Sequence, residues 1–203
     1  TSDEWDADIW LFNTPGGVVE LRTGRLRPHD RADRMTKIAT ATPKGDCPQW
    51  RAFLSDVTGG DAELQAYLQR MVGYCHTGST AAHALFFLYG TGANGTSVFA
   101  NVVSTLLGDY AATAPMDTFV ETRGDRHPTD LAGLRGARFV TAIETEQGRR
   151  WNESKVKAIT GGDKVSARFM RKDFFEYTPQ FKPVIVGNHK PAIRNIDEAM
   201  KRR

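Results

Sequence analysis

The stretch Ala84-Leu-Phe-Phe-Leu-Tyr-Gly-Thr-Gly-Ala-Asn-Gly-Thr-Ser-Val-Phe99 decides how the rest of the chain is read. Its apolar run from Ala84 to Tyr89 predicts a strand buried on both faces. The run stops at Gly90, Gly92 and Gly95, and Val98 to Leu107 then predicts an apolar helix. Strand, glycine loop and helix in that order are the setting in which a glycine pattern predicts phosphate binding. Glycines let backbone N–H groups curl around an anion, and the helix N-terminus adds partial positive charge. Gly90, four residues and Gly95 have the spacing of the P-loop, with Asn94 inside it. One residue departs from that motif. Thr96-Ser97 stands where a P-loop carries Lys followed by Ser or Thr. Ser97 keeps a hydroxyl for Mg²⁺, but position 96 offers no ammonium for the phosphates.

Two further apolar runs point to the same site. Ala137 to Ile143 predicts a second buried strand, ending in Glu144-Thr-Glu146. Acidic residues at the end of such a strand suit a phosphate site, where one helps hold Mg²⁺ and a neighbouring glutamate polarises the attacking water. Lys182 to Gly187 predicts a third strand, with Asn188 at its end and in reach of a γ-phosphate. The expected fold is α/β: a three-layer P-loop domain from about Ala81 onward with a mostly parallel sheet. Its motif residues should meet at the C-terminal ends of the strands.

The charge is unevenly spread. The net +3 divides into 13 basic and 18 acidic residues over 1–148, against 14 basic and 6 acidic over 149–203. A basic C-terminal quarter predicts a polyanionic partner, most simply nucleic acid. Within it, Asn152 to Ile159 predicts a helix closed by Thr160-Gly-Gly-Asp163. Lys164–Met170 and Phe174–Tyr177 then read as a β-hairpin around Arg171-Lys172-Asp173. Its Lys164, Arg168, Arg171 and Lys172 alternate with aromatic residues, a pattern suited to a nucleic-acid backbone.

The N-terminal third is less regular. Asp8–Phe12 and Val18–Arg22 predict a hairpin, Gln49–Val57 a short helix, and Asp61 caps a helix reaching Gly73. That helix is expected to pack a small unit, residues 1–76, onto the domain formed by residues 77–203. Cys47 and Cys75 give no disulfide framework and predict a reducing cytoplasm. No apolar run approaches the roughly 18 residues of a membrane span. Thr1 is not an initiator Met and Lys201-Arg202-Arg203 closes no element, so the chain is expected to be a piece of a longer protein.

Five motifs in order resemble the ATPase region of phage and plasmid primase-helicases, members of the superfamily 3 helicases with an AAA+-like core. Gly17 to Gly24 and Gly73-Tyr74 resemble the small domain that precedes that ATPase. Gly90 to Ser97 resembles its Walker A loop, Phe139 to Glu146 its Walker B strand, and Thr160–Asp163 with the basic hairpin its DNA-contacting motif. Val184 to Pro191 resembles the sensor strand, with Asn188 as sensor, and Arg202-Arg203 the pair supplying an arginine finger. The resemblance implies ATP and Mg²⁺ as cofactors and single-stranded or forked DNA as partner. It also implies a hexameric ring, in the cytoplasm of a bacterial host. It implies Gly90, Gly92, Asn94, Gly95, Thr96 and Ser97 as nucleotide-binding and Glu144, Glu146, Asn188, Arg202 and Arg203 as catalytic. Thr96 occupies the family's lysine position, which leaves two readings open: a DNA-dependent ATPase, or a DNA-binding subunit that hydrolyses nothing. A P-loop kinase of small molecules is a third reading, less suited to the asparagine-tipped strand.

Overall fold

The computed structural model describes residues 4–90, 92, 94–122, 129–144, 146–189 and 192–193. Four parallel strands form its centre: β4 (Phe86–Tyr89), β5 (Ala111–Thr113), β6 (Phe139–Glu144) and β9 (Lys182–Gly187), in the order β4-β9-β6-β5. Alternate residues face opposite sides. Phe139 and Val184 join one cluster with Phe99, Val103 and Leu107 of helix α3 (Thr96–Leu107). Val140, Ala142 and Ile185 join the other, with Val156 and Ile159 of helix α5 (Glu153–Gly161). Both faces are therefore covered, as a parallel sheet requires. Asn152 caps α5 by accepting from the Lys155 N–H at 3.1 Å.

The N-terminal segment packs on the α3 face. Strands β1 (Leu11–Thr14), β2 (Gly17–Glu20) and β3 (Arg25–Arg27) form an antiparallel sheet. Helices α1 (Pro48–Val57) and α2 (Ala62–His76) follow. Phe12, Ala39, Met71 and Cys75 share the α3 cluster, with Trp50 stacked on Phe99 at 5.6 Å between ring centres. Asp61 caps α2 as expected, accepting from the Leu64 N–H at 3.0 Å, but the helix runs through Gly73 to His76. On the far face lie helix α4 (Thr129–Ala132) and a two-stranded hairpin, β7 (Val165–Ala167) with β8 (Phe175–Tyr177).

Three details differ from the sequence expectation. β4 begins at Phe86 and is half-buried, because among the described strands it pairs only with β9 and its Tyr89 is 49% exposed. β3 and β5 lie in stretches read as irregular, because three-residue strands are too short to show alternation. Leu64 and Tyr67, whose helical spacing matches that of buried Met71, are nonetheless exposed on α2. No helix among the described residues is long and apolar enough to cross a membrane.

Candidate nucleotide site

The order β4-β9-β6 places the C-terminal ends of three adjacent parallel strands side by side, and the described residues of the glycine loop stand beside them. Together they enclose a cavity of about 360 Å³. Gly90, Gly92, Asn94, Gly95, Thr96 and Ser97 line it from the loop, Glu144 from β6, and Asn188 from the end of β9. Eight of the residues singled out from sequence thus meet in one place.

The loop geometry explains the residue types. Gly95 has φ +78° and forms the N-cap of α3, and a Cβ there would come within 2.4 Å of Val57. An L side chain would be strained twice over, by backbone conformation and by contact. The hydroxyl of Thr96 donates to Asn94 Oδ1 at 3.0 Å, so its short side chain is tied back to the loop. None of the described residues lining the cavity is Lys or Arg. The positive field in the cavity therefore comes from backbone N–H groups and the α3 N-terminus.

Glu144 is 3% exposed. Its Oε1 accepts from the Glu146 N–H at 2.7 Å, which fixes the carboxylate. Its Oε2 is buried with no hydrogen-bond partner. The Ser97 hydroxyl lines the same cavity as this carboxylate, and hard oxygens of both kinds are the donor type that Mg²⁺ takes. Gly187 was not singled out from sequence, yet it makes room for this carboxylate. A Cβ on Gly187 would sit 2.8 Å from the Glu144 Cβ. The signal available was only a glycine closing the Val184–Val186 run.

Other expected residues lie elsewhere. Glu146 is outside the cavity lining and pairs with Arg149 at 2.6 Å, while Arg149 also pairs with Asp117. That shared guanidinium raises the Arg149 pKa above its ordinary value, through hydrogen bonds to Asp117 first and Glu146 second. Arg168, Arg171 and Lys172 sit on the connection between β7 and β8, whereas Lys164 stands at the base of β7. The Arg168 guanidinium lies 4.6 Å from the Phe174 ring centre. Phe169, Met170 and Phe174 are exposed beside it. Arg202 and Arg203 lie outside the described residues.

Residues 1–59 match the family described as D5 N terminal like, and residues 88–203 match a Family of unknown function (DUF5906). The chain is 28% identical over 206 residues to "Putative helicase L207/L206" of Acanthamoeba polyphaga mimivirus, covering 98% of this chain and 21% of that protein. It is 27% identical over 163 residues to "Putative helicase 022R" of Frog virus 3 (isolate Goorha), covering 77% and 16%. The chain thus spans about a fifth or less of these relatives. Among solved structures, the apo NrS-1 C-terminal region is similar with a TM-score of 0.59 at 11% identity, over 78% of this chain and 40% of that one. An A-form apo structure of the same region gives 0.58 at 9% identity, over 76% and 36%. At these identities the likeness concerns the fold alone.

Proposed function

From the premise that the chain belongs to the family of unknown function DUF5906, we propose that it is the ATPase-type domain of a DNA helicase or primase-helicase, in which Thr96 in place of the P-loop lysine withholds hydrolysis. In this reading residues 1–76 are a small accessory domain and residues 77–203 a P-loop domain of the superfamily 3, AAA+-like kind. The observation that carries the reading is the convergence of Gly90–Ser97, Glu144 and Asn188 at the ends of three adjacent parallel strands. The names of the viral relatives support the same direction.

The chain's own groups divide the work. Backbone N–H groups of the loop and the start of α3 receive the β- and γ-phosphates of ATP. Ser97 and Glu144 would hold Mg²⁺, which would supply neutralisation of phosphate charge there. Asn188, on the wall of the same cavity, is proposed to orient the attacking water or the γ-phosphate oxygens. Glu146, engaged by Arg149, is left to hold Glu144 through its backbone N–H rather than to polarise water. Arg202 and Arg203 are proposed to reach a neighbouring copy's nucleotide in a hexameric ring. The basic hairpin is proposed to track a single-stranded or forked DNA, in the cytoplasm of the host cell.

Thr96 favours a second reading, a DNA-binding subunit that binds nucleotide without hydrolysing it. Preorganised positive charge on the transferring phosphoryl group is the main lever of this chemistry. The described cavity lining lacks a cation. The test is ATP turnover with and without single-stranded DNA, for the natural chain and for Thr96→Lys within the full-length protein. Negligible turnover with Thr96 and DNA-stimulated turnover with Lys are expected. Robust DNA-stimulated turnover with Thr96 in place would contradict this assignment of roles, and no turnover in either would leave the non-hydrolysing subunit.

A further inference from the structure

A second hollow, of about 560 Å³, lies at the opposite end of the sheet from the nucleotide site. Gly136 and Gln180, which line it, precede β6 and β9, so it opens at the strands' N-terminal ends. Its volume is within the roughly 300–1,000 Å³ typical of ligand sites. Three cationic residues from three distant segments line it: Lys37, Lys164 and Arg135, whose guanidinium also lies 5.5 Å from the Phe175 ring centre. Trp5, also on its wall, is 53% exposed.

We propose that this hollow binds one nucleotide unit of single-stranded nucleic acid, with its base on Trp5 and its phosphates against Lys37, Arg135 and Lys164. The inference rests on the DNA-binding reading above and adds a site to it. An exposed indole beside convergent cations is the combination that holds single strands, because every base has a π-face and every linkage a negative charge. Lys37 spends one N–H on the Asp109 carbonyl at 3.1 Å and keeps two for a phosphate. Two carboxylates also face the hollow. Asp6 is engaged, accepting from the backbone N–H groups of Thr36 and Lys37 at 2.8 and 3.2 Å. Glu176, on β8, leaves the cations in excess by three to two. Because Lys164 and Glu176 belong to the hairpin, a strand lying on its basic connection can continue into this hollow.

The test is titration of the protein with an oligothymidylate, read by tryptophan fluorescence and by anisotropy of a labelled oligonucleotide. Saturable quenching is expected. Trp5→Phe should abolish the quenching and keep the affinity within a few fold, since phenylalanine still stacks. Trp5→Ala should weaken binding roughly tenfold, the loss of one stacked base. Arg135→Ala and Lys164→Ala should each lower the slope of log affinity against log salt by about 0.7, one single-strand phosphate contact. Inorganic phosphate should compete weakly and quench nothing. If Arg171→Ala/Lys172→Ala weakens binding while the Trp5 and Arg135 variants bind and quench as the natural chain does, this inference alone is overturned. If the natural chain binds no oligonucleotide, the DNA-binding reading falls with it.

Discussion

At the scale of single residues, Glu144 and Thr96 pull in different directions. Glu144 is a buried carboxylate with one oxygen unpaired, a costly arrangement that a purely structural residue would avoid. Glu144→Gln keeps the oxygen that accepts from the Glu146 N–H and removes the buried charge. It should raise the urea unfolding midpoint, by about 1 kcal/mol of stability, and abolish the turnover recovered by Thr96→Lys. A lower midpoint would show that the carboxylate serves the fold. Both residues were legible in the sequence, since strand, glycine loop and acidic strand end name them. The pairing of Arg149 with Asp117 as well as Glu146 was not, because Asp117 lies 32 residues away in the chain.

At the scale of elements, the hairpin and the end of α2 each carry a consequence. The β7–β8 pairing was readable from two short alternating runs around a polar turn, but its cations separate in space. Arg171→Ala/Lys172→Ala should weaken binding to unrelated DNA sequences alike and lower the salt slope by about 1.4 for two single-strand contacts. An unchanged slope would remove the hairpin connection from the account. The α2 C-terminus is held by two buried cations that no periodicity reveals. Arg138 donates to the His76 carbonyl at 2.6 Å. Lys182 donates to the carbonyls of Thr77, Ser79 and Gln180. Unpaired carbonyls and the negative end of the helix dipole make that end a cation site. Burial nevertheless lowers the Lys182 pKa to about 7, against 10.5 ordinarily. Between those values the unfolded chain binds the extra proton, so stability rises with pH. From pH 7 to 8, below most of the range where Cys75 and the buried tyrosines oppose it, the gain should be about 1 kcal/mol. Lys182→Met should flatten that rise in urea titrations, and an unchanged rise would assign it to another group.

At the scale of the whole molecule, the parallel sheet was legible because β6 and β9 are unbroken apolar runs, and a sheet covered on both faces produces such runs. The edge position of β4 was hidden, since Phe86, Phe87 and Leu88 read the same at an edge as in a centre. The packing of the N-terminal segment onto the α3 side was expected, but its partners were not, because Phe12, Met71 and Cys75 find them only in the folded chain. Beside that shared core, α1 meets the glycine loop directly, through Val57 against Gly95. The central claim is that the cavity over the strand ends holds a nucleoside triphosphate even with Thr96. It is tested most directly by calorimetric titration of the chain and of Thr96→Lys with ATP, with and without Mg²⁺. The account predicts saturable, Mg²⁺-dependent binding to both, tighter for Thr96→Lys by about 1.5–3 kcal/mol, one charge-assisted phosphate contact. Absence of binding to both chains, or binding indifferent to Mg²⁺ and to residue 96, would contradict it.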